Sequence, residues 1–298
     1  MESDDDSDFY GDETTIKDLQ NRVAQFDVKH WWQTYGVVDT PMKIRARGGS
    51  TDKAHLYNPF DGIKYAWQLT ESVDAFLHRL PPSSTTEEPS NPWIWICNPY
   101  IKQKAKQQAQ NQSIRGGNDE APEQEGADLL GFVSGGVEKL DFTSSFINEL
   151  RSKSTSKVHI MRETRKAGTD AAREILDLAQ HLRVTCGKWM IFCSVLEVND
   201  VWEIIAKATA NNELGIAAKV APKPIVPKGN ERLICVYTAD FSNRDDVIRV
   251  AERLKALGLT ARKPLYYKPD AYTYLGIASQ NPWEIKASIY STQTLLSK

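Results

Sequence analysis

The chain has 298 residues, 41% of them hydrophobic, and a formal net charge of −2, so it carries enough apolar mass for a substantial buried core. No apolar run approaches the ~20 residues of a bilayer span, and the acidic start lacks the basic-then-apolar pattern of a signal peptide. These features argue against a membrane-spanning or secreted protein and predict a cytoplasmic one that could also enter the nucleus.

Met1 to Glu13 holds seven acids and no base; taking those seven from the 39 acids leaves 32 against 37 bases, so the remainder is basic at +5. That balance suits an anionic ligand without requiring nucleic acid. Residues 1–15 read as a disordered acidic tail, and 16–298 as a single domain. Ile16, Leu19, Val23 and Phe26 have helical spacing and lead to the aromatic cluster Trp31, Trp32 and Tyr35. Met42 to Ser50 reads as a basic, glycine-ended loop without the Gly-Lys-Ser/Thr ending of a phosphate-binding Walker loop. A helix over Ser72 to Leu80 is predicted by Val73, Phe76, Leu77 and Leu80 and stopped by Pro81-Pro82. Trp93 to Cys97 is apolar on both faces, which predicts a central, covered strand. Residues 102–126 are rich in Gln, Lys, Asn, Gly and Glu, and read as a disordered insertion.

Beyond the insertion a helix is expected from about Asp128 to Leu150, with a break at Gly131 or at Gly135-Gly136. Lys157-Val158-His159-Ile160 reads as an extended segment, followed by a helix after Thr169-Asp170 with Ile175, Leu176, Ala179 and Leu182 on one face. Strands follow at Lys188 to Val195, Ile216 to Ala221 and Leu233 to Thr238. Between them lie a helix opened by Asp200 and Glu203 and, after the last, one opened by Ser242. Pro264 to Tyr267, Tyr272 to Ile277 and Ile285 to Tyr290 are the last strand-like runs. Together these runs predict an α+β fold, an antiparallel sheet backed by helices on one face. Cys97, Cys186, Cys193 and Cys235 form no Cys-x-x-Cys pair and read as buried thiols. His181 with Cys186 and Cys193 lacks the usual zinc spacing, so neither a metal nor a cofactor is expected.

The chemistry concentrates between Lys157 and Cys193. In an extended segment Lys157 and His159 point the same way, and a strand carrying Lys188 can lie beside them. Two ammonium groups and an imidazole would make a phosphate site or an acid/base pair. The plainer reading, solvated strand ends and a surface histidine, stays open beside it.

Gly187-Lys188-Trp189 and the run Pro264-Leu265-Tyr266-Tyr267-Lys268-Pro269-Asp270-Ala271-Tyr272 resemble the basophilic leukaemia expressed protein family, over roughly Trp93 to Tyr290. That resemblance implies the fold of the cap-binding translation initiation factor 4E, a curved antiparallel sheet backed by helices. Cap factors place a tryptophan and an acid shortly before the Gly-Arg/Lys-Trp strand. Here Ala171 to Cys186 has no aromatic residue and Tyr237 stands where a tryptophan is usual, leaving Trp31, Trp32 or Trp93 for stacking. The order Lys157-Val158-His159-Ile160, helix, Lys188-Trp189, helix to Leu214-Gly215 is also similar to bacterial effector phosphothreonine lyases. That similarity implies a β-elimination enzyme with Lys188 as base, His159 as acid on the departing phosphate and Lys157 holding its oxygens. Arg162, Lys219 and Lys268 would replace the arginines those lyases use. The expected partner is a phosphorylated peptide or a nucleotide, with RNA also open, and neither membrane nor DNA. Three function classes follow: a phosphate-directed lyase or its degenerate relative, a cap-like nucleotide or RNA binder, and a protein-interaction module.

Overall fold

Strand β2 (Gly187–Ser194) alternates along its length, and the alternation fixes the layers of the molecule. Trp189, Ile191 and Cys193 are buried on one face, where the Trp189 indole donates to the Val247 carbonyl of a covering helix at 3.2 Å. Lys188, Met190 and Phe192 occupy the other face and run from buried to exposed. In this computed structural model the described residues are Lys17 and residues 56–103, 121–153, 156–226, 229–261 and 263–297. The chain divides into two compact units, residues 1–52 and 53–298, and the fold described is that of the second.

The remaining strands are β1 (Ile94–Cys97), β3 (Ala217–Val220), β4 (Glu231–Thr238), β5 (Tyr266–Pro269) and β6 (Tyr290–Ser291). They form one six-stranded sheet in the order β1-β3-β4-β2-β5-β6, and every pairing is antiparallel. The helices are α1 (Val73–Arg79), α2 (Leu129–Lys153), α3 (Lys157–His181), α4 (Val198–Ala210), α5 (Arg244–Ala256), α6 (Asp270–Tyr274) and α7 (Thr292–Leu295). The α+β class with an antiparallel sheet is therefore the architecture. Helix α1 starts where its Ser72 cap accepts from the Ala75 amide at 3.1 Å. Helix α5 is capped by Asn243 in place of the expected Ser242, and α4 starts at Val198 ahead of Asp200 with no side-chain cap.

Five expectations change: of the strand-like run Ile285 to Tyr290 only Tyr290 is strand, and the other four each change for a physical reason. Strand β1 is the end strand of the sheet and owes its burial to residues 65–67, whose backbone bonds its outer edge through Trp95 at 2.8 and 2.9 Å. Helix α2 runs unbroken through its glycines because they sit at close approaches: a Cβ at Gly136 would lie 2.6 Å from Leu275, and one at Gly135 2.9 Å from Leu178. Lys157 to Ile160 is not extended but opens α3, with Ser156 as its cap. The run Thr164, Gly168, Ala171, Ile175, Ala179 is the buried stripe of a single 25-residue helix. Tyr272 to Ile277 is not a strand either: α6 starts at Asp270, whose amide donates to the Cys186 carbonyl at 2.9 Å.

The expected helix at Ile16, the cluster at Trp31 and Trp32, and residues 104–120 of the insertion lie outside the described residues. The insertion's described end is packed. Ala121 is buried, and the Gln124 side chain accepts from the Thr185 and Cys186 amides at 2.8 and 2.9 Å while donating to the Ala239 carbonyl.

All four cysteines are free and buried. Burial pushes the Cys97 thiol up to about 12, and burial with nearby acids pushes Cys193 to about 11, from an ordinary 9.0. Because the folded values are raised, this contribution to stability is intact below pH 9.0 and drains away as pH climbs toward 11 and 12. We expect native protein at pH 8 to resist iodoacetamide, with all four thiols reacting in denaturant. Rapid modification of native Cys97, read by peptide mass, would contradict that burial.

Candidate functional site

The six site residues singled out in the sequence divide into two groups. Lys188, Lys219 and Lys268 share one sheet face, because the register sets Lys188 opposite both Tyr237 and Lys268, and Lys219 opposite Cys235 and Trp95. Lys157, His159 and Arg162 lie in the first two turns of α3, all exposed, with Arg162 Nη2 3.3 Å from His159 Nδ1 and Arg162 Nε 3.0 Å from Glu163. A 25-residue helix spans about 37 Å, and the chain enters β2 only after its far end. The structure therefore does not bring Lys157 and His159 together with Lys188. The extended reading failed because Lys-Val-His-Ile alternates like a strand, while the deciding signals were Ser156 as a cap and the longer helical stripe.

On the sheet face Lys188 and Lys219 are built into the core, while Lys268 is half-buried. The Lys188 side chain is 5% exposed and its ammonium pairs with Asp270, a carboxylate at 0%. The pairing favours the charged ammonium, the opposite of what a general base needs. Lys219 is fully buried, its Nζ 3.8 Å from the centre of the Trp93 ring, 5.2 Å from Trp95 and 5.8 Å from Tyr237. Trp95 and Tyr237 stack on each other at 5.8 Å, and Phe60 tilts onto Trp95 at 4.9 Å. The chain's own ammonium thus occupies the aromatic surface where a cationic base would stack. Asp270 escaped the sequence reading. Its signal was a lone acid inside an apolar, aromatic run, the kind of position where a carboxylate requires a buried partner.

An open cavity lies elsewhere, between α3 and the segment leading into β6, with a volume of about 1020 Å³. Leu176, Phe241, Tyr272, Ile285 and Ile289 give it an apolar floor. Arg165, Thr169 and Arg173 recur every four residues along the facing stripe of α3, and Lys286 stands in the other lining segment. Asp177 and Glu284 complete the rim. Arg173 is held by Asp170 at 2.9 Å, an exposed pairing that costs little to exchange for another anion. The groove exists because Gly168 lets α3 approach the Trp283 carbonyl, while Trp283 anchors to α2 through the Leu140 carbonyl at 3.1 Å and Ser144 Oγ at 2.8 Å. No three-residue cluster of His, Cys, Asp or Glu suited to a metal occurs among the described residues.

Fold and site together define an α+β protein with Lys188 and Lys219 buried among aromatic side chains on one sheet face and with an apolar-floored groove whose rim carries both cations and carboxylates. The chain belongs to the family of the basophilic leukemia-expressed protein Bles03, whose model matches residues 19–276. Among solved structures it is similar to the crystal structure of Ascaris suum eIF4E-3 in complex with an m2,2,7G cap, at 15% identity and a TM-score of 0.28. That similarity covers 36% of this chain and 58% of the Ascaris protein.

Proposed function

We propose that this protein is an interaction module that holds an extended peptide in the groove between α3 and the β6 segment, with an apolar anchor on its floor and a phosphorylated side chain at its rim. The observation that carries the reading is the apolar floor beneath cations from two separate walls, Arg165 and Arg173 on α3 and Lys286 opposite. A floor of this kind rewards side-chain burial, and guanidinium groups bind phosphate through paired, charge-assisted hydrogen bonds. A volume of about 1020 Å³ suits several peptide side chains. A nucleotide or RNA strand is less favoured, because Phe241 and Tyr272 are buried and leave Tyr290 as the half-buried ring in the lining. The lyase reading has less support, because Lys157 and His159 lie on α3 away from Lys188, whose ammonium is paired with Asp270.

Phosphothreonine and phosphoserine peptides bearing a neighbouring Leu or Phe, titrated by fluorescence anisotropy, should bind more tightly than their unphosphorylated forms. Arg173→Glu with Lys286→Glu should remove that preference, since each charge-assisted hydrogen bond to the phosphate is worth about 1.5–3 kcal/mol. Leu176→Asp should weaken both forms. Peptide mass should be unchanged after incubation. Binding that ignores all three substitutions, or a dehydrated product, would overturn the reading.

A further inference from the structure

Two aromatic residues of the groove floor, Phe241 and Tyr272, hang from one dipeptide. Phe241 donates its amide to the Thr185 carbonyl at 2.8 Å. Helix α6, which carries Tyr272, begins where the Asp270 amide donates to the Cys186 carbonyl at 2.9 Å. Thr185 and Cys186 lie between the end of α3 and the start of β2, so their placement sets where this part of the floor sits beneath the α3 wall.

The amide side of that dipeptide is held by a single side chain that does not line the groove. Gln124 Oε1 accepts from the Thr185 amide at 2.8 Å and from the Cys186 amide at 2.9 Å. Its Nε2 donates to Thr185 Oγ1 and to the Ala239 carbonyl, both at 2.9 Å. These bonds use the whole capacity of a carboxamide, two lone pairs and two N–H groups. Thr185 Oγ1 in turn donates to the Ala239 carbonyl at 3.1 Å, two residues ahead of Phe241. The strands need no such clamp, because β2 already pairs with β4 along its length and with β5 at its start. What Gln124 adds is the placement of the two carbonyls that hold Phe241 and Asp270. Its own stem is seated: Ala121 and Pro122 are buried, and the Asp128 amide donates to the Leu182 carbonyl at 2.9 Å.

We infer that Gln124 is a positioning residue of the peptide groove, and that through it the stem of residues 121–127 sets the groove's affinity. The inference rests on the groove reading above. Gln124 acts through Thr185 and Cys186 on Phe241 and Tyr272, the part of the floor where the ligand's apolar anchor sits. Clamp and occupancy are then linked: a peptide that holds the floor in place tightens the clamp by the same factor as the clamp tightens the peptide. Arg165, Arg173 and Lys286 stand on other parts of the lining, so the clamp governs the anchor and leaves the preference for phosphate alone.

The test is anisotropy titration of the full chain with the same Leu- or Phe-bearing peptides, together with amide hydrogen exchange. Gln124→Met nearly keeps the side-chain length and removes every bond of the clamp. It should weaken phosphorylated and unphosphorylated peptides alike, by about tenfold, with the ratio between them unchanged. Gln124→Glu keeps an acceptor for both amides and loses the donations, so it should recover part of that affinity; it carries the comparison if the Met variant does not fold. In the parent, peptide should slow exchange of the Thr185 and Cys186 amides, which lie outside the groove lining, and in Gln124→Met it should not. A parent and a folded Gln124→Met that bind equally tightly would overturn the inference and leave the groove reading standing. A change in the phosphate ratio at unchanged affinity for the plain peptide would also overturn it, by placing the effect at the rim. A parent that binds neither peptide would overturn the groove reading and this inference with it.

Discussion

Asp270→Ala should be the most damaging single substitution on the sheet face, costing about 3–5 kcal/mol, because it leaves the Lys188 ammonium enclosed without its carboxylate. Lys188→Ala should approach the same loss by stranding Asp270. The pair Lys188→Met with Asp270→Leu should recover most of it, since removing both charges also removes the desolvation cost that their attraction offsets. Equilibrium urea unfolding of the four proteins decides the matter. A Lys188→Ala protein as stable as the parent but altered in a chemical activity would restore Lys188 as a reacting group and remove it from the core.

How far the sequence revealed this arrangement depended on the range of the signal. Period-two and period-3.6 patterns located β1 through β4 and helices α1, α4 and α5 to within a few residues, because those elements bury one regular stripe. The patterns misled where burial is set by distant chain. Lys157 to Ile160 alternates locally, yet Ser156 and Thr164 to Ala179 continue it as helix. Tyr272 to Ile277 looks strand-like, yet the Cys186 carbonyl draws Asp270 into a turn. The sheet-face group of Lys188, Lys219 and Lys268 was legible as a set of cations, but the burial of Lys188 and Lys219 was not. Burial depends on Asp270 and the Trp93 ring, neighbours that local spacing cannot show. The groove was invisible for the same reason, since its walls lie more than a hundred residues apart.

The groove's geometry rests on Gly168, and Gly168→Val is expected to be the strongest test of it. A Cβ at this position would overlap the Trp283 carbonyl, a backbone atom that cannot swing aside as a flexible side-chain end could. Within a helix, Gly→Ala ordinarily gains up to about 1 kcal/mol. Here overpacking should more than reverse that gain, for a net loss of about 1–3 kcal/mol with Val. The strain has one outlet: α3 must move away from the segment from Trp283 to Tyr290. Peptide affinity should then fall together with stability, and hydrogen exchange should quicken in residues 281–290 while β2 and β4 keep their protection, since they pair with each other independently of α3. Gly258→Ala serves as the control: no atom lies within 4 Å of its Cβ position, and its φ of +79° makes its cost one of backbone strain alone. If Gly168→Val lowers peptide affinity no more than this control does, the groove between α3 and the β6 segment is not the binding site.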